Sequence, residues 1–259
     1  MSSVLEISPG SILQRMYLKE RLNSFIAPER SFIEIGSGGG ALSNLLLESG
    51  LNGIGFDLNP DACFKNKILN DNYISTGKYK VLNENFLHLN LNERVDLIIS
   101  SMVIEHLEQR QLDKYFEKCK ELIHPTGRII TLVPAGMRFW GIEDEIAGHI
   151  RRYEFEDVKK IADKLNFKIY HCVGLTFPIS NILLPISNFV VKRNERKKLL
   201  LVLQERTILS GDRNVFLKTK FPKVFRLVLN EEVLYPFYIL QKMFRNSRKS
   251  MVIYFELVL

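Results

Sequence analysis

Short apolar runs alternate with helical patterns over the first two-thirds of the chain, which predicts an α/β fold with a mostly parallel sheet covered by helices. A glycine-rich turn follows the first apolar run, and an acidic residue ends the second. Together they predict a doubly wound sheet with a ligand crevice where the strand order reverses. An apolar C-terminal segment, 251–258, adds a seventh strand, expected to insert into the main sheet.

The elements follow in order. Ser11 to Ala27 carries Ile12, Met16, Leu18, Leu22, Phe25 and Ile26 at helical spacing and reads as a leading helix. Ser31 to Ile35 is the first strand, Gly36 to Gly40 a turn, and Ala41 to Ser49 a helix stopped by Gly50. Gly53 to Asp57 is the second strand, and Asn59 or Asp61 caps a helix running to about Asn70. Tyr79 to Leu82 is the third strand. Val95 to Ser101, almost wholly apolar, reads as a fourth strand buried on both faces. A helix over Leu107–Ile123 is closed by Pro125. Gly127–Val133 is the fifth strand, Glu154–Leu165 a helix, and Phe167–Val173 the sixth strand. Residues 175–249 break this rhythm, with helices expected near Glu195–Thr207 and Tyr235–Phe244. The expected organisation is therefore a core at 1–174, a mainly helical insertion or lid at 175–249 between strands six and seven, and the last core strand at 250–259.

Composition narrows the function classes. The chain has 259 residues, 46% hydrophobic and 25% charged, ordinary for a globular protein and unlike a disordered or collagen-like chain. The most apolar stretch, Thr176–Val191, is interrupted by Pro178, Asn181, Pro185 and Asn188, so no membrane span is expected. The N-terminus lacks a basic then apolar leader, and a cytoplasmic location is expected. Cys63, Cys119 and Cys172 match neither a zinc spacing nor a disulfide framework; thiols and no metal are expected. Charge is divided unevenly. Residues 1–150 hold 15 basic and 19 acidic groups, net −4, and residues 151–259 hold 21 and 10, net +11. That excess suits an anionic partner, or simply a solvated surface.

The sharpest signal is Glu34-Ile-Gly-Ser-Gly-Gly-Gly40, set between a strand and a helix. Glycines there allow positive φ and close backbone approach by a ligand, and the following helix start offers N–H groups to it. Asp57, about 20 residues on, is placed to accept ribose hydroxyls. The G-x-G-x-G spacing differs from the G-x-G-x-x-G of dinucleotide sites.

These blocks resemble the class I S-adenosylmethionine-dependent methyltransferases, of the type 11/23 kind that modify small molecules or glycans. Glu34–Gly40 resembles motif I, and Gly55-Phe-Asp57 the ribose-binding motif. Glu84-Asn85-Phe86 resembles the adenine turn, with Asn85 where the family has an acid. Asp96–Leu107 resembles the fourth-strand block ending in Glu-His-Leu. His124–Ile130 resembles the Pro-Gly-Gly turn, with Thr126 replacing the first glycine. The likeness covers about 11–173 and 251–258. It implies a Rossmann-like fold, a mostly parallel seven-stranded sheet with an antiparallel last strand, and S-adenosyl-L-methionine as cofactor, with S-adenosyl-L-homocysteine as product. It implies further that Glu34 orients the loop or approaches the methionine ammonium, and that Gly36, Ser37, Gly38 and Gly40 hold the methionine portion. Asp57 would grip the ribose, Leu58 and Phe86 would pack on or beside adenine, and Asn85 would bond its amino group. Ser101 would end the strand where cofactor and acceptor meet.

On the acceptor side, Gly148-His149-Ile-Arg-Arg-Tyr153 lies after the fifth strand, and similar stretches occur in related methyltransferases that modify glycans and quinones. His149 is a candidate general base or acceptor ligand; the alternative is a loop-stabilising histidine bonded to backbone or to Asp144. Arg151 and Arg152 are candidates to clamp phosphate or carboxylate, with Tyr153 and Trp140 lining the pocket. Phe177, Phe189, Phe216, Phe221, Phe225, Tyr235, Phe237, Tyr238 and Phe244 read mainly as lid core. The leading reading is O-methylation of a small or glycan- or nucleotide-linked, phosphorylated acceptor, as in surface-polysaccharide or secondary-metabolite tailoring. The alternatives are an RNA methyltransferase, a quinone-type enzyme at the membrane surface, or a non-catalytic regulator. No nucleic-acid module is visible, so nucleic acid is not the expected partner. Peripheral membrane contact and the oligomeric state stay open.

Overall fold

A computed structural model of the chain describes residues 4–5, 8–25, 27, 29–89, 91, 93–210 and 221–259. The chain divides into two compact units. One comprises residues 26–133, 155–172 and 254–259, and the other residues 1–25, 134–154 and 173–253.

The elements run as α1 (Pro9–Asn23), β1 (Ser31–Ile35), α2 (Ala41–Glu48), β2 (Asn52–Phe56), α3 (Pro60–Leu69), α4 (Asp71–Ser75), β3 (Tyr79–Leu82), β4 (Val95–Ser101), α5 (Gln109–Leu122), β5 (Ile123–Pro134), α6 (Ile142–Ala147), α7 (Phe155–Leu165), β6 (Lys168–Leu175), α8 (Ile179–Glu195), α9 (Leu203–Ser210), α10 (Glu231–Met243) and β7 (Val252–Val258). Strands Val4–Leu5 and Phe221–Pro222 form a separate antiparallel pair.

The seven strands form one sheet in the order β3-β2-β1-β4-β5-β7-β6. The first five pair in parallel, and the C-terminal strand is antiparallel. The order reverses at β1, between β2 and β4, which puts the β1 carboxyl end at the switch point. Leu97, Ile98 and Ile99 are fully buried, as a strand covered on both faces requires. Helix α5 turns Leu112, Tyr115, Phe116, Cys119 and Leu122 inward at spacings of three and four, while Glu108 and Gln111 form a capping box at its start. Strand β5 begins directly at Ile123. Val95 pairs with Ile123 and Leu97 with Arg128, so the four intervening residues, 124–127, bulge out of the ladder.

In the other unit, α1 packs along α10. Glu231 meets Arg15 and Lys19 at 2.9 and 2.8 Å. Buried Gln241 ties the two helices together: its Nε2 donates to Leu13 O at 3.2 Å, and its Oε1 accepts from Thr176 N at 2.8 Å.

Several sequence expectations are corrected here. The leading helix is Pro9–Asn23, because Ser8 caps it and Pro9 fixes its first turn. A helix over Glu195–Thr207 does not form. Instead α8 ends at Glu195, a 3-10 turn covers Arg196–Leu200, and α9 starts at Leu203. The insertion aromatics are not mainly core. Phe221 and Tyr238 are buried, but Phe189, Phe225, Tyr235, Phe237 and Phe244 are exposed, and Phe216 lies outside the described residues. The three cysteines are free thiols, with Cys63 and Cys119 buried.

Candidate functional site

The glycine turn leaves β1 and enters α2. Gly36, Gly38 and Gly40 have φ of +74°, +50° and +85°, conformations that strain any residue with a Cβ. At Gly36 a Cβ would also lie 2.4 Å from Val103 Cγ2, and at Gly40 one would lie 2.3 Å from Asn66 Oδ1. Phe56 O accepts from Gly36 N and Ser37 N at 2.8 and 2.9 Å, which fixes the turn over the end of β2.

Asp57 follows β2. Its Oδ2 accepts from Gly38 N at 2.8 Å and its Oδ1 from Asn59 N at 2.8 Å, so one carboxylate joins the glycine turn to the start of α3. Burial pushes its carboxyl above the ordinary value, opposed by the N–H bonds of Asn59 and Gly38. Each oxygen keeps further acceptor capacity for a hydroxyl pair. Leu58 beside it is exposed and offers an apolar surface to a flat ring.

Beneath the turn lies a buried polar network that sequence reading did not find. Ser43 Oγ donates to the Glu34 carboxylate and lies 2.6 Å from the Tyr79 hydroxyl. Asn66 Nδ2 reaches Tyr79 Oη and Ser37 Oγ, both at 3.1 Å. Asn70 Nδ2 donates to Asn66 Oδ1 at 2.8 Å and to Gly40 O at 3.2 Å. The chain of bonds thus runs from Glu34 back to the turn itself. Burial pushes Glu34 up to about 8, against the Ser43 bond and with help from the Asp57 charge. Of the two roles the resemblance implies for Glu34, this geometry supports orienting the loop. Asn66 and Asn70, four apart on one helix face, were the legible clue, because two amides on a face that otherwise buries Ala62 and Cys63 need partners.

The adenine-turn residues are placed differently from each other. Asn85 caps the short Phe86–His88 turn, its Oδ1 accepting from Leu87 N at 3.0 Å. Phe86 is only 3% exposed and packs edge-on against Phe56 and Tyr115 at 5.8 and 5.9 Å. Its ring therefore belongs to the core under the turn, a correction to the expectation that it lies beside adenine. Ser101 ends β4 half-buried, while Ser100 beneath it accepts from the Tyr115 hydroxyl at 2.8 Å. Met102 follows at φ +56°, a strained backbone at the strand end that no sequence pattern announced.

The segment after β5 belongs to the other unit. Tyr153 N donates to Pro134 O at 2.9 Å and Gly136 N to Tyr153 O at 3.0 Å, which pins the two ends of the segment together. Asp144, fully buried on α6, is its hub. Arg152 Nε and Nη2 reach the two Asp144 oxygens at 2.8 and 3.0 Å, and Arg152 Nη1 donates to Ala135 O at 3.1 Å. Gly141 N adds a bond to Oδ2 at 2.9 Å. His149 Nδ1 lies 2.8 Å from Asp144 Oδ1. Burial alone would raise the Asp144 carboxyl; the His149 and Arg152 bonds, the Arg152 charge and the Gly141 N–H outweigh it and hold it below the ordinary value. An ionised Asp144 only accepts, so His149 Nδ1 carries a proton.

Two expectations fail here. Arg152 is committed to Asp144 and Ala135, so it is not placed to clamp an acceptor anion, and Tyr153 is 2% exposed, held in the core. Arg151 and Trp140 are half-buried. Within this unit α9 covers Gly148: Thr207 Oγ1 donates to Gly148 O at 3.4 Å, and Arg206 Nη1 bonds Glu145 O.

The turn, the acid closing the second strand and the reversed strand order define the class of doubly wound folds with a ligand crevice at the switch point. Residues 11–172 match the family described as Methyltransferase domain. The chain belongs to this family, the class I methyltransferases, whose methyl donor is S-adenosylmethionine. Solved structures share the fold. An N-methyltransferase, NodS, from Bradyrhizobium japonicum WM9 in complex with S-adenosylhomocysteine is 18% identical, with 63% of this chain and 78% of that chain covered and a TM-score of 0.51. Magnesium protoporphyrin IX methyltransferase from Synechocystis PCC 6803, with bound S-adenosylhomocysteine, is 15% identical over 65% and 79%, with a TM-score of 0.53. Phosphoethanolamine N-methyltransferase 2 from Haemonchus contortus, in complex with S-adenosylmethionine, is 16% identical over 97% and 53%, with a TM-score of 0.60. Among curated proteins, none matches the chain in sequence.

Proposed function

We propose that the chain transfers a methyl group from S-adenosylmethionine to an oxygen of a small or glycan- or nucleotide-linked acceptor. The observation that carries the donor half is the strained glycine turn bonded to Asp57. Its positive-φ backbone, closed to a Cβ at Gly36 and Gly40, sits beside a carboxylate with acceptor capacity to spare. The backbone of Gly36, Ser37, Gly38 and Gly40 would hold the methionine end, Asp57 would accept the ribose hydroxyls, and Leu58 would cover the base. Asn85 would meet the adenine amino group with the acceptor capacity its capping bond leaves. When bound, S-adenosylmethionine supplies an electrophilic methyl on a sulfonium.

The acceptor half rests on His149. Its ring is held by Asp144 through Nδ1, and Nε2 would take the proton that a hydroxyl loses on methylation. Asp144 then stabilises the imidazolium, and Arg152 keeps Asp144 ionised and in place. Alignment of the acceptor supplies the rest, worth up to ~7–11 kcal/mol in favourable cases. With Arg152 committed, a phosphorylated acceptor would rely on Arg151.

Labelled methyl transfer to a panel of hydroxyl acceptors, including sugar nucleotides, tests this reading. His149→Ala is expected to lower kcat about 100-fold or more while S-adenosylhomocysteine affinity stays within about twofold. Undiminished turnover in that variant would remove His149 as the base. Transfer to amines alone would remove the oxygen acceptor.

A further inference from the structure

Helix α8 turns an apolar face outward. Ile182, Ile186 and Phe189 follow at spacings of four and three residues, and they are 67%, 61% and 68% exposed. The opposite face is already used within its own unit. Val191 is fully buried with Ile146, and Ser187 Oγ donates to Glu143 Oε2 at 3.5 Å. The outward stripe is therefore additional to the face α8 buries. Lys192 and Arg193 continue the same side of the helix, three and four residues beyond Phe189, and both are exposed, as is Arg196 in the turn that follows. The acid of this stretch, Glu195, is 6% exposed and paired with Lys198. Over about 20 Å of helix the outward surface passes from apolar to wholly cationic.

We propose that this face of α8 docks on an anionic lipid bilayer. The helix would lie along the surface, with Ile182, Ile186 and Phe189 in the interfacial layer and Lys192, Arg193 and Arg196 at the headgroup phosphates. Charge complementarity selects this occupant. A second copy seated on this same face offers no acid of the stretch to Lys192, Arg193 and Arg196, because Glu195 is buried and paired with Lys198. Among the described residues no helix is long and apolar enough to cross a membrane, so the attachment is interfacial.

Flotation of the full chain tests the proposal, using phosphatidylcholine vesicles with and without about 30% phosphatidylglycerol, at about 0.05 M and about 0.5 M salt. At low salt the chain is expected to partition at least ~10-fold better onto the anionic vesicles, with the preference shrinking at high salt. I182S/I186S/F189S is expected to lose flotation, and K192E/R193E to lose the anionic preference. Both change exposed positions, and thermal melts confirm that each variant is folded. Equal partitioning onto both vesicle types would overturn the proposal. So would a triple variant that floats like the parent, or a chain that ignores vesicles and forms a dimer that I182S/I186S/F189S dissociates.

Discussion

The two compact units each bury a carboxylate, and they stabilise it by opposite means. Glu34, under the glycine turn, is surrounded by hydroxyls and amides, and burial drives it towards the neutral form. Asp144, in the segment after β5, meets a bidentate guanidinium, an imidazole and a backbone N–H, and it stays ionised. A neutral network can position a backbone cradle without setting a strong field beside it. A charged network can hold a histidine ring in one tautomer. Under the proposed function the first network would shape a binding surface and the second would prepare a proton acceptor.

The largest effect expected from this contrast comes from Asp144→Asn. Removing one partner leaves Arg152 buried without its counter-charge, at a cost of about 3–5 kcal/mol. Urea unfolding measures it; a loss under about 1 kcal/mol would mean that Arg152 finds water. The sign in pH also follows. The Asp144 contribution is present above the ordinary carboxylate range and is lost as pH falls through its lowered folded value.

Glu34 is expected to act in the other direction. Its folded carboxyl titrates at about 8 and its unfolded one near 4.5, so between those values the folded chain keeps a proton that the unfolded chain has lost. Stability therefore falls as pH rises from about 4.5 through 8, by up to about 5 kcal/mol. Glu34→Gln should flatten that slope. Unfolding curves of both proteins at pH 5, 7 and about 9 read it, and a flat parent curve would show Glu34 ionised throughout.

Arg152→Lys keeps the charge but loses the fork, and is expected to cost about 1.5–2.5 kcal/mol, about half of the Asp144→Asn loss, if the backbone bond to Ala135 survives. The smallest effect belongs to Tyr79→Phe, about 1 kcal/mol, because a single neutral hydroxyl leaves the network. If Tyr79→Phe instead costs as much as Asp144→Asn, the two networks are not different in kind.

The same contrast governs what the sequence reveals. The sheet was legible because strands buried on both faces write unbroken apolar runs such as Val95–Ser101. The cradle was legible because only glycine tolerates its backbone, and the spacing to Asp57 is fixed by one strand–helix–strand repeat. The partners Ser43, Tyr79 and Asn66 come from three separate elements, and only folding brings them together. In the other unit Asp144 and His149 are near in sequence, so their bond could be weighed beforehand, but the capture of Arg152 could not. Helix α8 escaped because it is apolar on two faces, which erases amphipathic periodicity, and because Pro178 and Pro185 read as breaks. Pro178 only caps the helix, and Pro185 sits on its exposed side.

Titration calorimetry with S-adenosylhomocysteine, on the parent chain and on Asp57→Ala, tests the donor cradle most directly. One-to-one binding that weakens about 100-fold or more in the variant is the predicted result, since the ribose partner and the tie to Gly38 are lost together. No heat with the parent, or equal affinity in the two proteins, would contradict the assignment of the glycine turn and Asp57 as the cofactor site.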